Sequence, residues 1–310
     1  MSLVAGALLA IVATSLINYS NFLQKRELDN LPRIGSESVL NTVRAFANCS
    51  PWLKAQGLQI LGTGTHTIAV ALAPLSVVQP INAAGISLLV MLAVTRLDEK
   101  AALVDWLGIG SIMAGVLMLG VSLVKTPSKA LAYRPVVLWF FIVLIMVTSV
   151  SALVAAFVRK DERASSFLGI GVGVLVGLTA ILIKMAWADV GNRWGEFRVA
   201  GFIYSSYFWM ALVITLVCMV LFQMALQRGM AIVVVPLVTG FSNLIPVVVG
   251  FLAFREPFPT GAVMASLRLG SILLIIGGAT LLSLRGEGGS TRRVFKQKRK
   301  AKAGSPDFDF

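Results

Sequence analysis

Nine long apolar stretches dominate the chain, and they decide what it can fold into. They cover residues 3–22, 53–73, 77–95, 103–124, 136–158, 165–187, 201–225, 230–254 and 263–284. Each is about 20 residues long, the length at which a helix rising ~1.5 Å per residue crosses a hydrocarbon core of ~30 Å. In lipid no water serves the backbone N–H and C=O groups, so a spanning segment must satisfy them internally. Continuous rather than alternating apolar runs predict helices and exclude a β-barrel. The chain therefore reads as all-α, a polytopic membrane protein of about nine transmembrane helices. The first stretch lacks a basic leader and a convincing cleavage site, and it reads as a retained helix.

Hydrophobic residues make up 57% of the 310 and charged residues 13%, a balance that excludes a soluble enzyme of this size. The 14 acidic residues are expected outside the membrane, and Lys184 is expected to be the one full charge within a span. Cys49 falls in a polar connector and Cys218 within an apolar run, so no disulfide between them is expected.

Basic residues orient such a chain. Nine spans put the termini on opposite sides. With the C-terminus in the cytoplasm, 19 of the 27 Lys and Arg lie inside and 7 outside, which predicts an outside N-terminus. Seven of the basic residues crowd the stretch from Arg292 to Lys302. That cluster serves as a topology anchor or as a patch for anionic lipid. No nucleic-acid fold accompanies it, and no nucleic acid is expected as a partner. A homodimer is compatible with this pattern.

The sequence repeats itself. "VVQPINAAGISLLVMLAVTRLDE" from Val77 matches "IVVVPLVTGFSNLIPVVVGFLAFRE" from Ile232, with 19 residues from Pro80 to Glu99 and 20 from Pro236 to Glu256. "LGIGSIMAGVLML" from Leu107 lies on "LGSILLIIGGATLL" from Leu269, so that Gly115 meets Gly277. The third and fourth spans thus echo the eighth and ninth. An offset of five spans reverses direction in the membrane, giving two inverted repeats, residues 1–163 and 164–285, followed by a basic tail at 286–310 that is expected to be disordered.

The segment "ALAPLSVVQPINAAGISLLVMLAVTRLDE" from Ala71 resembles the drug/metabolite transporter superfamily (EamA-like). "NFLQKREL" from Asn21 and "GLTAILIKMA" from Gly177 make the NIPA magnesium-transporter branch the nearest likeness. The resemblance implies a secondary transporter working by alternating access, with magnesium as cargo. One departure stands out. Where that family has a G-E-x-x-N stretch in the second span, this chain reads Gly62-Thr63-Gly64-Thr65-His66, without the acid.

Polar residues at membrane depth are costly and mark the expected solute path. Gln56, Gln59, Thr63 and His66 recur at helical spacing on one stripe, as do Thr14, Asn18 and Asn21. Gln79 and Asn82 flank Pro80, while Thr239 and Asn243 lie between Pro236 and Pro246. Each proline frees a backbone carbonyl, which makes Pro80 and Pro236 the expected hinges. The path is accordingly drawn along Asn18, Thr63, His66, Gln79, Asn82 and Asn243, with Lys184 near one mouth; interhelical hydrogen bonding is the competing role for the same residues. His66 is the sole histidine, and imidazole titrates near neutrality, so it is also a candidate for proton coupling. Gly169, Gly173 and Gly177 form a small-residue ridge for close helix packing. Glu99 and Glu256, beside Arg96 and Arg255, read as interfacial ion pairs, gates or plain surface charge.

One histidine, and no acid expected at depth, cannot build a catalytic triad or a carboxylate pair in the bilayer, so neither an enzyme nor a cofactor is expected. No metal-ligand set is identifiable. No phosphate-binding G-x-x-x-x-G-K-[ST] loop is present to drive transport by ATP. A transporter of a small polar solute or ion leads, with an exporter of polar or amphipathic metabolites next and a non-transporting scaffold or receptor third.

Overall fold

A computed structural model describes residues 2–72, 75–122, 134–159, 163–194, 199–254 and 261–284. The described elements are α1 (Ser2–Leu28), α2 (Val39–Asn48), α3 (Ser50–Leu72), α4 (Leu75–Arg96), α5 (Leu103–Ser122), α6 (Pro135–Val158), α7 (Arg163–Trp194), a 3-10 turn (Val199–Tyr204), α8 (Ser206–Arg228), α9 (Ala231–Ala253) and α10 (Ala262–Leu284). The described residues contain no strand.

Seven of these helices, α1 and α5 to α10, are long and apolar enough to cross a membrane. Helix α3 has the length, but Gln56, Gln59, Thr63, Thr65, His66 and Thr67 dilute it; in α4, Leu75–Arg96, the side chains are described without interruption only from Ala84. Seven candidate spans are thus found among the described residues, and the count of nine stays an expectation. Helices α6 and α8 turn Trp139, Phe140, Val143, Val147, Trp209, Val213 and Leu216 outward. Such a surface is stable in lipid and not in water, as befits an integral, multi-pass membrane protein.

Local chemistry explains the ends. Ser38 caps α2, accepting from the Asn41 amide at 3.3 Å. Pro135 opens α6, where its missing N–H costs nothing. Two residues past the end of α4, Asp98 adopts φ +53°, a left-handed turn that Asp tolerates better than most side chains. The Leu97 and Glu99 amides both fold back on Ala93 O, at 3.1 and 3.2 Å. That turn aims Glu99 back into the protein.

Helix α1 packs on α3 and α4, and α7 packs in the same manner on α8 and α9. Helix α5 crosses α10, and α4 and α5 both touch α9. One apolar core joins α4, α5, α9 and α10 around Ile86, Ile112, Ile232 and Ile275. A second fills the space among α6, α7, α8 and α9. A third gathers where α1 and α8 end and α3 and α9 begin, with Phe22, Trp52, Leu89, Leu226, Val234 and Val235.

Candidate functional site

Above this third core lies a polar seam. Ser20 and Gln24 stand one helical turn apart on α1, and Ser20 Oγ donates to Ala55 O on α3 at 2.8 Å. Gln24 Nε2 donates to Ser20 Oγ at 2.8 Å. Gln24 Oε1 accepts from Gln56 Nε2 of α3 at 3.1 Å and from Gln223 Nε2 of α8 at 2.6 Å. Trp52 Nε1 donates to Gln223 Oε1 at 3.4 Å. Beside them Gln227 receives the Ile34 amide and donates to Pro32 O, both at 3.0 Å.

Two buried charges complete the seam, each on the helix end that suits its sign. Lys25 Nζ donates to Leu226 O at 2.5 Å, one of the last carbonyls of α8, where the helix dipole is negative. Glu99 is 1% exposed and accepts the Ala231 and Ile232 amides at 2.9 and 3.1 Å, at the positive N-terminus of α9. A cation and an anion from α1 and the end of α4 thus cap two consecutive helices, α8 and α9. The arrangement can hold one end of the molecule shut. Glu99 is buried in a specific contact, which removes the plain-surface-charge reading, while Glu256 lies outside the described residues.

The expected path residues divide. Asn82 Nδ2 lies 2.7 Å from His66 Nε2, linking α4 to α3; an amide nitrogen donates, so Nε2 accepts. Asn18 is buried and donates to Thr14 O at 2.9 Å. Both side chains press on Gly85 of α4, where any Cβ would collide with them. Asn18, His66 and Asn82 therefore sit around the α1, α3 and α4 contact. Gln59 has its Oε1 buried with no donor among the described residues.

Thr63 does not join this group. It is exposed, and its hydroxyl donates to Gln59 O of its own helix at 2.9 Å. Asn243 donates to Thr239 O at 2.7 Å, within α9. Lys184 is half-buried with Nζ 4.3 Å from the centre of the Phe254 ring. Phe254 is eleven residues past Asn243, about 16 Å along the axis, so the two are not neighbours. Pro236 is buried in α9. Gln79 and Pro80 belong to α4, but their side chains lie outside the described residues, as does the tail from Arg292 to Lys302.

Helices α7 and α9 approach closely along the glycine ridge. A Cβ on Gly173 would stand 2.9 Å from both Val238 O and Phe241 Cβ, and one on Gly177 2.7 Å from Ile245 Cβ. At Gly169 the neighbour, Leu237 Cβ, would be at an ordinary 3.4 Å.

A family model described as Magnesium transporter NIPA matches residues 1–286. The chain belongs to the NIPA magnesium-transporter family. It is 26% identical over 287 residues to a protein of Arabidopsis thaliana named Probable magnesium transporter NIPA9, covering 88% of this chain and 80% of that one. No solved structure matches it.

Two expectations about charge in this NIPA protein need correction. Lys184 is not the only charge at depth: Lys25 and Arg268 are also buried in helices. Arg268 donates from Nη2 to Ser122 O at 2.9 Å and from Nε to Ser122 Oγ at 3.3 Å, capping the C-terminus of α5. Nor are all acids outside the apolar helices, because Asp105 is fully buried in the first turn of α5, accepting the Ala102 amide at 2.7 Å. The common reason is that helix ends supply partial charges that stabilise full ones. No group of three or more His, Cys, Asp or Glu able to hold a metal occurs among the described residues, and Cys49 and Cys218 are free.

Proposed function

We propose that this NIPA protein carries magnesium across the membrane by alternating access between two inverted halves, residues 1–163 and 164–285. The polar seam is then its closed gate. The observation that carries this reading is the charge arrangement at the seam, where Lys25 and Glu99 hold the ends of α8 and α9. Such contacts are made across a boundary and can be broken without unfolding either side. The matching packing of α1 on α3 and α4 and of α7 on α8 and α9 supports the two-halves reading. With the N-terminus outside, as the basic residues favour, this gate faces the cytoplasm.

Magnesium enters from the family and from the name of the Arabidopsis relative. The chemistry fits a hydrated ion. Mg²⁺ dehydrates reluctantly and keeps several waters, which amide and hydroxyl oxygens can receive in place of a carboxylate cage. Asn18, Asn82 and the unpartnered Gln59 Oε1 supply such oxygens. The test is flux in proteoliposomes loaded with a magnesium-sensitive dye, with calcium, manganese and polar metabolites as competitors. Magnesium entry that depends on the protein is the expected result. Protein-dependent metabolite flux without magnesium flux would replace this reading with a metabolite exporter.

A further inference from the structure

The connector between α1 and α3 carries a helix that touches little of the protein. Among the described elements, α2 packs only on α3. Val39, Val43 and Phe46 recur at steps of four and three, which puts them on one stripe, with Leu40 and Ala47 beside it. Asn41 and Asn48 take the opposite side, and Arg44 flanks the stripe next to Leu40. Phe46 is buried, edge-on to the Trp52 ring of α3 with 5.0 Å between their centres. The rest of the stripe is bare: Val39 is 81% exposed, Leu40 67% and Val43 59%. A contiguous apolar face of this kind is unfavourable in water and calls for a cover.

Position says what the cover is. The connector is tied to the end of α8, where Gln227 accepts from the Ile34 amide and donates to Pro32 O. At its other end α2 turns into α3 at Cys49, whose amide folds back on Phe46 O at 3.2 Å. Ser20 of α1 meets Ala55 O of α3, and Gln24 meets Gln56, so Trp52 stands within the last two turns of α1, which ends at Leu28. Phe46 is therefore pinned short of the end of a membrane-crossing helix. Amphipathic helices that lie on a bilayer bury their apolar face about 5–10 Å into the boundary between headgroups and acyl chains, which is this depth. Leu53 and Ile60, both exposed, carry an apolar surface onward along α3. Around the stripe the exposed bases Arg33, Arg44 and Lys54 outnumber the exposed acids Asp29 and Glu37. A stable protein partner needs about 20–30 residues a side, and the bare stripe offers three.

We infer that α2 is a membrane-surface helix, with Val39, Leu40 and Val43 in the headgroup–acyl boundary of the bilayer and Arg44 on lipid phosphate. A guanidinium at the flank of the stripe matches phosphate by charge and geometry, while its stem lies along the apolar face. Trp52, on which Phe46 rests, also donates to Gln223, so α2 joins the bilayer surface to the polar seam. None of this depends on the cargo.

The test uses the full chain in nanodiscs, in a Cys49→Ala background, with Val43→Cys or Asn41→Cys coupled to a small fluorophore; native Cys218 is buried. Phosphatidylcholine brominated near the carbonyl end of its acyl chains quenches a dye in the boundary, and iodide quenches a dye in water. Brominated lipid should quench the label at Val43→Cys at least about threefold more than that at Asn41→Cys, and iodide should show the reverse order. In discs containing phosphatidylglycerol, Arg44→Glu should lower the lipid quenching at Val43→Cys about twofold without altering the melting temperature, since Arg44 is exposed. Equal iodide quenching at the two positions would put the stripe in water and overturn the inference. A label at Val43→Cys quenched by neither agent would mean that a protein face, such as a second copy of this chain, covers the stripe, and would overturn it as well. Lipid quenching undiminished by Arg44→Glu would overturn the placing of Arg44 on phosphate.

Discussion

Glu99→Ala should open the seam without unfolding the protein. The carboxylate accepts two α9 amides at 2.9 and 3.1 Å in a fully buried setting. Hydrogen bonds to a charged group are worth about 1.5–3 kcal/mol each, so the pair contributes roughly 3 kcal/mol or more to the closed arrangement. Losing that much raises the open population about a hundredfold or more. Glu99→Gln keeps an acceptor oxygen but loses the charge, and it should fall between. The readout is labelling of Val234→Cys, in the apolar core beneath the seam, by a membrane-impermeant maleimide in a Cys49→Ala background. Native Cys218, buried against α7, is the internal control and should stay unreactive in every variant. Equal labelling rates at Val234→Cys with and without Glu99 would refute the reasoning. Simultaneous labelling of Cys218 would show unfolding instead of opening.

Further outcomes are expected. Gly173→Ala should cost about 1–3 kcal/mol, read as a lower melting temperature, because the new methyl meets the α9 backbone; Gly277→Ala, facing open space, should not. Asn82→Leu breaks the contact with His66 and should slow magnesium flux while changing stability by no more than about 1–2 kcal/mol. Gln59→Glu places a charged oxygen at a buried acceptor site and should strengthen magnesium binding by calorimetry, whereas Thr63→Glu, at an exposed position, should not. Reporter fusions after Arg44 and after Lys302 should both read cytoplasmic.

The all-helical membrane fold was legible because lipid imposes one demand, continuous self-satisfied backbone, that leaves its mark on every span. Local spacing carried less. The stripe Gln56, Gln59, Thr63, His66 does share a helix, but spacing cannot say what each side chain meets across the gap. Gln56 meets Gln24, His66 meets Asn82, and Thr63 meets only its own backbone. Lys25 entered only the count of inside basic residues, and Glu99 read as an ion pair, a gate or surface charge, because their partners are backbone groups more than 130 residues away, which leave no trace in side-chain identity. The signal that could have found them is position. Each falls where its own helix ends, and α8 and α9 meet at Gly229 with their terminal groups unpaired by the helix. Arg268 and Asp105 were legible as charges within spans, since they fall inside the stretches 263–284 and 103–124; what the sequence did not show is the backbone group each meets, Ser122 O and the Ala102 amide. The fit of Gly173 and Gly177 to α9 likewise depends on residues of another helix, Val238, Phe241 and Ile245, that the ridge itself does not specify.

The central claim, that opening and closing of the seam is part of transport, meets its most direct test in locking it. Gln24 and Gln223 touch across it at 2.6 Å. Both can be changed to cysteine in a Cys49→Ala, Cys218→Ala background and joined by a short bis-methanethiosulfonate that a reducing agent removes. In proteoliposomes the cross-linked protein should carry no magnesium, and reduction should restore the flux of the untreated double variant. Magnesium flux unchanged by complete cross-linking would contradict the account.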